Sequence, residues 1–285
     1  MPEIEVIVPP RRDGTLDPAL LVAADLLGTR NVLRANGVAG IAAASIGTEM
    51  LPKVRKIVGP GGPMIMAAQY YAHLQGVDVA LFFGPSECMV IADDSADAAL
   101  VAADLLNEAE HGPESSAILL TDSSSLAEAV QLEVERQLPG LPEWRREFAS
   151  SALERFGGAV VTDDLDQAVA LANEWANEHV QVVTRDPWRI AHRLVHASEI
   201  LVGQCTTFSA ISYAVGVPAC LPTGQFASTY SAVTVDTYLR FSAVASLDAK
   251  GLRSLAPAIT ALARHEDFPA HARSIELRRE QGLLS

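Results

Sequence analysis

The sequence is short of cysteine, of aromatic residues and of positive charge, and it has no long apolar run. Its three cysteines, Cys88, Cys205 and Cys220, show no CxxC spacing, so reduced thiols are expected rather than a disulfide framework or a thiolate metal site. Lys and Arg number 21 against 35 Asp and Glu, a formal net charge of -14, which would repel nucleic acid and anionic membrane surfaces. No apolar stretch reaches the roughly 18 residues that cross a bilayer. Met1-Pro2-Glu3-Ile4-Glu5 carries no basic-then-apolar targeting pattern. Neither GxGxxG nor the Walker spacing occurs, and Gly59-Pro60-Gly61-Gly62-Pro63 is a weak nucleotide signal. These absences lead to the expectation of a soluble cytoplasmic protein. Its partner would be a small polar metabolite or another protein, not nucleic acid and not a membrane.

What is present is a globular composition, 49% hydrophobic and 20% charged over 285 residues, enough for one large or two ordinary domains. Short β-branched runs predict strands at Ile4–Val8, Asn31–Leu33, Val54–Val58, Val77–Phe82, Cys88–Ala92, Ala117–Leu120, Ala159–Val161, Val180–Val183 and Ile200–Val202. Between them, Ala/Leu-rich segments predict helices at Pro18–Leu27, Ile65–Leu74, Ala96–Ala109, Leu126–Gln137, Trp144–Phe156 and Leu165–Trp175. Such alternation is the signature of parallel α/β sheets. Ser125 before Leu126 and Asp186-Pro187 read as helix starts. The hexapeptide Val-Ala-Ala-Asp-Leu-Leu occurs at 22–27 and again at 101–106, which suggests a duplicated βα unit. From about Asp236 the pattern changes to consecutive helices, Val235–Ser242, Ala249–Arg264 and His265–Arg279. The expected fold is therefore α/β, with parallel Rossmann-like βα units in two related domains and an all-helical C-terminal tail. Expected boundaries are 1–78, 79–232 and 233–285.

Three Glu/His clusters mark element ends: Glu108 to Gly112, Asn177-Glu178-His179, and His265 to His271. Glu and His exchange protons near neutral pH and bind borderline metals. Glu108 and His111 are three apart on a helix, a spacing that suits a metal ion, although an exposed last turn is the plainer reading. Glu178 and His179 lie between a helix and a strand, a junction that points off a sheet edge and supplies two proton carriers. A polar loop is the plain alternative there. If Pro269 opens a helix, His271 falls in its first turn, with Glu266 just before it. His73, His192 and His196 are isolated.

Together these segments resemble the histidinol dehydrogenase family. The matching stretches are Ile57-Val58-Gly59-Pro60-Gly61, Gly84-Pro85-Ser86-Glu87 into Val90-Ile91-Ala92-Asp93, Ala102–Gly112, Glu133–Leu138, Asn177–Val180, Leu221-Pro222-Thr223-Gly224 and Ala270–Ile275. The resemblance implies a zinc- and NAD-dependent oxidation of an amino alcohol. In it Glu178 activates water and His179 shuttles protons. It implies zinc ligation at Glu108, His111 and His271, and substrate contacts at Ser86, Tyr213 and Glu266. It also implies an intertwined homodimer whose helical tail carries Glu266 and His271 to the partner subunit.

The departures are specific. Glu108 replaces the family's zinc-binding glutamine, Ser212 its zinc-binding aspartate, and Ala219 a substrate-contacting histidine. Ala39 and Gly62 stand where the family has NAD-contacting glutamine and asparagine, and the chain opens at what would be the middle of the nucleotide-binding domain. Those losses argue against NAD, while Glu108, His111 and His271 remain compatible with zinc. The acid–base pair is intact. The leading expectation is thus a shortened enzyme repurposed for an NAD-independent reaction at Glu178 and His179: hydrolysis, dehydration or cyclisation of a small polar metabolite. A zinc/NAD alcohol or amino-alcohol dehydrogenase comes second, and a non-catalytic subunit third.

Overall fold

The computed structural model describes residues 3–79, 84–218 and 220–284. They fall into two compact units, one up to Tyr238 and one from Leu239 onward. The first unit opens with two small parallel strand pairs and their helices. These are β1 (Glu5–Val8), α1 (Pro18–Leu26), β2 (Asn31–Arg34), α2 (Gly37–Ile46), β3 (Lys56–Ile57), α3 (Pro63–Leu74) and β4 (Asp78–Val79). Strand β1 pairs with β2 and β3 with β4. The strand expected over Val54–Val58 shrinks to two residues, and the expected Val77–Phe82 strand lies beyond Val79 in part outside the described residues.

Helix α2 was not legible in the sequence because Gly37 and Gly40 interrupt its apolar pattern. Asn36 caps it by accepting the Val38 N–H at 3.0 Å. Gly40 is needed for packing: a Cβ there would sit 2.4 Å from Ile7 Cγ2, so the helix backbone lies directly on β1.

The rest of the first unit is a doubly wound sheet. In chain order it comprises β5 (Glu87–Ala92), α4 (Ala98–Ala109), β6 (Ser116–Thr121), α5 (Ser124–Gln137), α6 (Glu143–Phe156) and β7 (Gly157–Val161). Then come α7 (Leu165–Trp175), β8 (His179–Val183), α8 (Pro187–Ala191), β9 (Glu199–Val202) and the short α9 (Phe208–Ala210). The strand order is β7-β6-β5-β8-β9, all parallel. Helices cover both faces, so β5 reads as an unbroken apolar run rather than an alternation. Cys88, Val90 and Ala92 face Val101, Leu105 and Leu119 on one side. Met89 and Ile91 face Ala168, Val169 and Ile190 on the other. Each fully buried branched side chain contributes about 1.5–3 kcal/mol.

The repeated hexapeptide shows what position adds to sequence. Both copies are helical, in α1 and α4. In α4, Leu105 and Leu106 are 4% and 5% exposed, whereas the corresponding Leu26 and Leu27 are 81% and 82% exposed. Only the second copy packs onto a wide sheet.

Helix starts at the carboxyl edge of this sheet are capped by the chain's own side chains. Asp97, Ser123, Asp164 and Asp186 accept backbone N–H bonds at the first turns of α4, α5, α7 and α8. The cap of α5 is Ser123, two residues ahead of the expected Ser125.

In the second unit, α10 (Ala249–His265) and α11 (Pro269–Glu280) bury Ala256 and Ile275 against Leu284. The expected helix over Val235–Ser242 is corrected. Residues Val235–Tyr238 form one 3₁₀ turn in the first unit, and Leu239 to Leu247 has no regular structure. Val, Thr, Tyr and Phe, which lose rotamer freedom in a helix, dominate that segment.

Candidate active site

Every element of a parallel βα unit returns its helix to the amino edge of the sheet, where the next strand begins. Glu87, His179 and Glu199 are the first residues of β5, β8 and β9. Helix α4 ends beside them with Glu108 on its last turn, and α7 ends at Ala176, whose left-handed backbone (φ 53°) turns the chain into Asn177 and Glu178. Doubly wound sheets usually bind ligands at the carboxyl edge. Here the side chains converge at the amino edge instead, around a cavity of about 250 Å³.

Glu178 and His179 form its floor. The backbone N–H of Glu87 donates to Glu178 Oε2 at 2.9 Å, and Glu178 Oε1 lies 3.6 Å from His179 Nε2. His179 Nδ1 is 2.8 Å from Glu199 Oε2. Register places these two together, because His179 and Glu199 are direct partners on the β8–β9 ladder. Their side chains are only 12% and 10% exposed. The buried ring of Phe208 meets the imidazole edge-on, with centroids 5.8 Å apart.

Burial pushes the Glu178 carboxyl up to about 8; the nearby Glu108 and Glu87 carboxylates add to this, and His179 and the Glu87 N–H oppose it. Burial works against charge on His179, but the hydrogen bond to Glu199 and the charges of Glu178 and Glu108 outweigh it, and its pKa is raised. Glu87 is raised chiefly by burial, although the Gly224 N–H donates to its Oε1 at 2.9 Å. The Cys220 thiol on the cavity wall is likewise raised, by burial and by Glu178.

Also lining the cavity, Glu108 is buried and accepts from Asn107 Nδ2 at 2.9 Å. His111 lines it as well, its Nδ1 3.1 and 3.2 Å from the carbonyls of Asn107 and Glu108 and 3.5 Å from Glu108 Oε2. That leaves Nε2 as the lone-pair nitrogen, the arrangement found for metal-ligating histidines. Glu108 and His111 therefore fit as two donors of a metal set. Among the described residues no three His, Cys, Asp or Glu side chains gather for a metal ion. Ser212, where the resemblance puts an acidic ligand, also lines the cavity and offers only a hydroxyl.

The closing wall comes from far along the chain. The Gly84 N–H donates to Thr223 Oγ1 at 2.6 Å, and a Cβ at Gly84 would meet that oxygen at 2.7 Å, so only glycine allows this approach.

The structure thus brings together Ser86, Glu108, His111, Glu178 and His179. Tyr213 is 88% exposed and outside the cavity wall. It sits in a π-type turn, Ile211–Val215, that turns Ile211 and Ser212 inward and the next side chain out. Ala219 lies outside the described residues. Glu266 and His271 belong to the second unit; Glu266 caps the C-terminus of α10, and His271, in the first turn of α11, stacks on Phe268 with centroids 5.1 Å apart. Glu199 was missed. Its signal is the β8–β9 register, which no local pattern discloses.

For a dinucleotide the fit is poor among the described residues. The strand pairs β1–β2 and β3–β4 are separate, and Ala39 and Gly62 offer no amide side chains. Within the cavity, the three carboxyl groups of Glu108, Glu178 and Glu199 and the C-terminal end of α4 favour neutral or cationic ligands over phosphates. No helix among the described residues is long and apolar enough to cross a membrane.

Comparison with known proteins shows the family. A sequence profile described as histidinol dehydrogenase matches residues 1–279. The chain is 43% identical over 283 residues to the histidinol dehydrogenase of Synechocystis sp., covering 99% of this chain and 64% of that protein. With the Moorella thermoacetica histidinol dehydrogenase it is 44% identical over 278 residues, covering 98% and 65%. The crystal structure of histidinol dehydrogenase from Elizabethkingia anophelis superposes with a TM-score of 0.93 at 34% identity, covering 98% of this chain and 64% of that one. The chain spans less than two thirds of the length of these relatives. It belongs to the histidinol dehydrogenase family.

Proposed function

We propose that the amino-edge cavity takes a small polar alcohol or amino alcohol and exchanges protons with it in a dehydrogenase reaction of the family's type. The observation that supports this is the buried Glu178–His179 pair facing a cavity of about 250 Å³, with the Glu178 carboxyl pushed up to about 8. In this reading His179 Nε2 takes the proton of the ligand hydroxyl. Glu178, neutral below pH 8, gives up its proton before it serves as a base toward water, so turnover rises with pH through that value. Positioned acid–base groups of this kind contribute roughly 10²–10⁴-fold.

Glu108 and His111 would hold a zinc ion, and such an ion polarises a hydroxyl oxygen. No step here passes through it; the hydride lost by the alcohol requires an external acceptor, which the assay below supplies as NAD. A second copy of the chain would supply His271 and Glu266 from its tail, as the family resemblance implies. The non-redox reaction favoured by the sequence gains nothing from relatives that are named dehydrogenases.

The test is a substrate panel of alcohols and amino alcohols with NAD, run with and without added zinc, following dinucleotide reduction. Turnover in the wild type, lost in Glu178→Gln and His179→Ala, is the expected result. Conversion without dinucleotide reduction would favour the non-redox reaction. A wild type as inert as both variants, with no NAD binding by calorimetry at millimolar concentration, would overturn the proposal.

A further inference from the structure

We propose that Glu199 is a positioning residue for His179, fixing the ring so that Nδ1 carries the proton and Nε2 presents its lone pair to Glu178 and the cavity. The inference rests on His179 being a proton carrier, as proposed above. Three contacts hold the ring. Glu199 Oε2 lies 2.8 Å from Nδ1, Phe208 packs edge-on against the imidazole, and Glu178 Oε1 stands 3.6 Å from Nε2.

An ionised carboxylate accepts and cannot donate, so the nitrogen facing it must bear hydrogen. In the neutral ring the other nitrogen is then the base. Acid–histidine pairs of catalytic triads work this way, the acid holding orientation and tautomer without taking the proton itself. The ladder makes the contact rigid, because Glu199 and His179 face each other across paired strand starts rather than from mobile loops. Both side chains are about nine-tenths buried, so water competes little for Nδ1. Besides Glu199, the carboxyl groups acting on the ring are Glu178 and Glu108.

The experiment is long-range ¹⁵N–¹H spectroscopy of the whole chain labelled at its seven histidines. His179 is identified by the signals lost in His179→Gln. At a pH where the ring is neutral, the wild type should show the proton on Nδ1. Glu199→Ala should move it to Nε2, whereas Glu199→Gln, which keeps an oxygen acceptor, should retain it. In the turnover assay Glu199→Ala should lower kcat roughly 10- to 100-fold with KM within about threefold, and Glu199→Gln should recover part of that loss. A wild-type ring protonated on Nε2, or an unchanged tautomer in Glu199→Ala, would overturn the assignment. Should Glu199→Ala fail to fold, the wild-type and Glu199→Gln spectra decide. The spectra need no substrate, so a failed turnover assay sinks the proposed reaction and leaves the tautomer result standing.

Discussion

The two edges of the five-stranded sheet hold the same kinds of acid in opposite states, and β5 shows both. Glu87 opens the strand and Asp93 follows it. At the amino edge burial raises Glu87, and its Oε2 has no partner among the described residues. At the carboxyl edge burial also acts to raise Asp93, yet its pKa is lowered, because the Ser95 hydroxyl and the N–H groups of Ser95 and Arg185 all donate to it. The difference follows from the number of donors: Asp93 accepts three bonds from the loops after β5 and β8, whereas Glu87 accepts one from Gly224. The acid at the carboxyl edge is satisfied and structural. At the amino edge, Glu87 and Glu178 each accept one backbone N–H, burial outweighs it, and both are raised.

The largest effect that would break this contrast is on rate. His179→Ala should lower turnover by roughly 10²–10⁴-fold, while Asp93→Ala, at the other end of the same strand, should leave kcat within a few-fold. Comparable losses in steady-state assays would show that the edges do not divide function from structure.

Stability against pH sharpens the contrast. The raised pKa of Glu178 means that the folded protein holds a proton which the unfolded chain releases above pH 4.5. Its contribution is full below 4.5 and is lost as pH climbs toward 8. The raised His179 adds a loss in the same direction above 6.5. Glu178→Gln mimics the neutral acid, so its advantage over wild type should be least at pH 5 and greatest at pH 9. There it should reach on the order of 2–4 kcal/mol in urea unfolding. An advantage that shrinks toward alkaline pH would show Glu178 to be ionised at rest.

Asp93 should behave inversely. Its lowered pKa contributes stability that is present above 3.8 and lost as pH falls through the folded value. Asp93→Ala should cost roughly 1–3 kcal/mol at pH 7 by urea midpoint, through lost hydrogen bonds. The smallest change is expected at Arg185, whose guanidinium pairs with Asp94 at 2.9 Å in the open. Arg185→Ala should move Tm by no more than about 1 °C. A shift of several degrees would mean that the carboxyl edge depends on its surface charges.

Much of this was legible in the sequence. Helix α7 runs from Leu165 to Trp175 as its periodicity predicts, and β5, β6 and β8 begin within one residue of their apolar runs. These elements are covered on both faces, so burial writes their composition. Glu178, His179, Glu108 and His111 were visible because each pair is local in sequence. What stayed hidden depends on distant partners: Gly40 against Ile7, Glu199 opposite His179, and the exposure of Leu26 beside the burial of Leu105. Which edge carries the cavity could have been read from order alone, since Glu178 follows α7 and precedes β8.

The bond between Gly84 and Thr223 joins segments 139 residues apart, and the one between Glu87 and Gly224 spans 137. Contacts of such long sequence separation form slowly and late. A nascent chain that has already laid down its acid and imidazole therefore still has no vessel to use them in. Competence arrives only when the loop that follows α9 docks its Thr223 and Gly224 against Gly84 and Glu87.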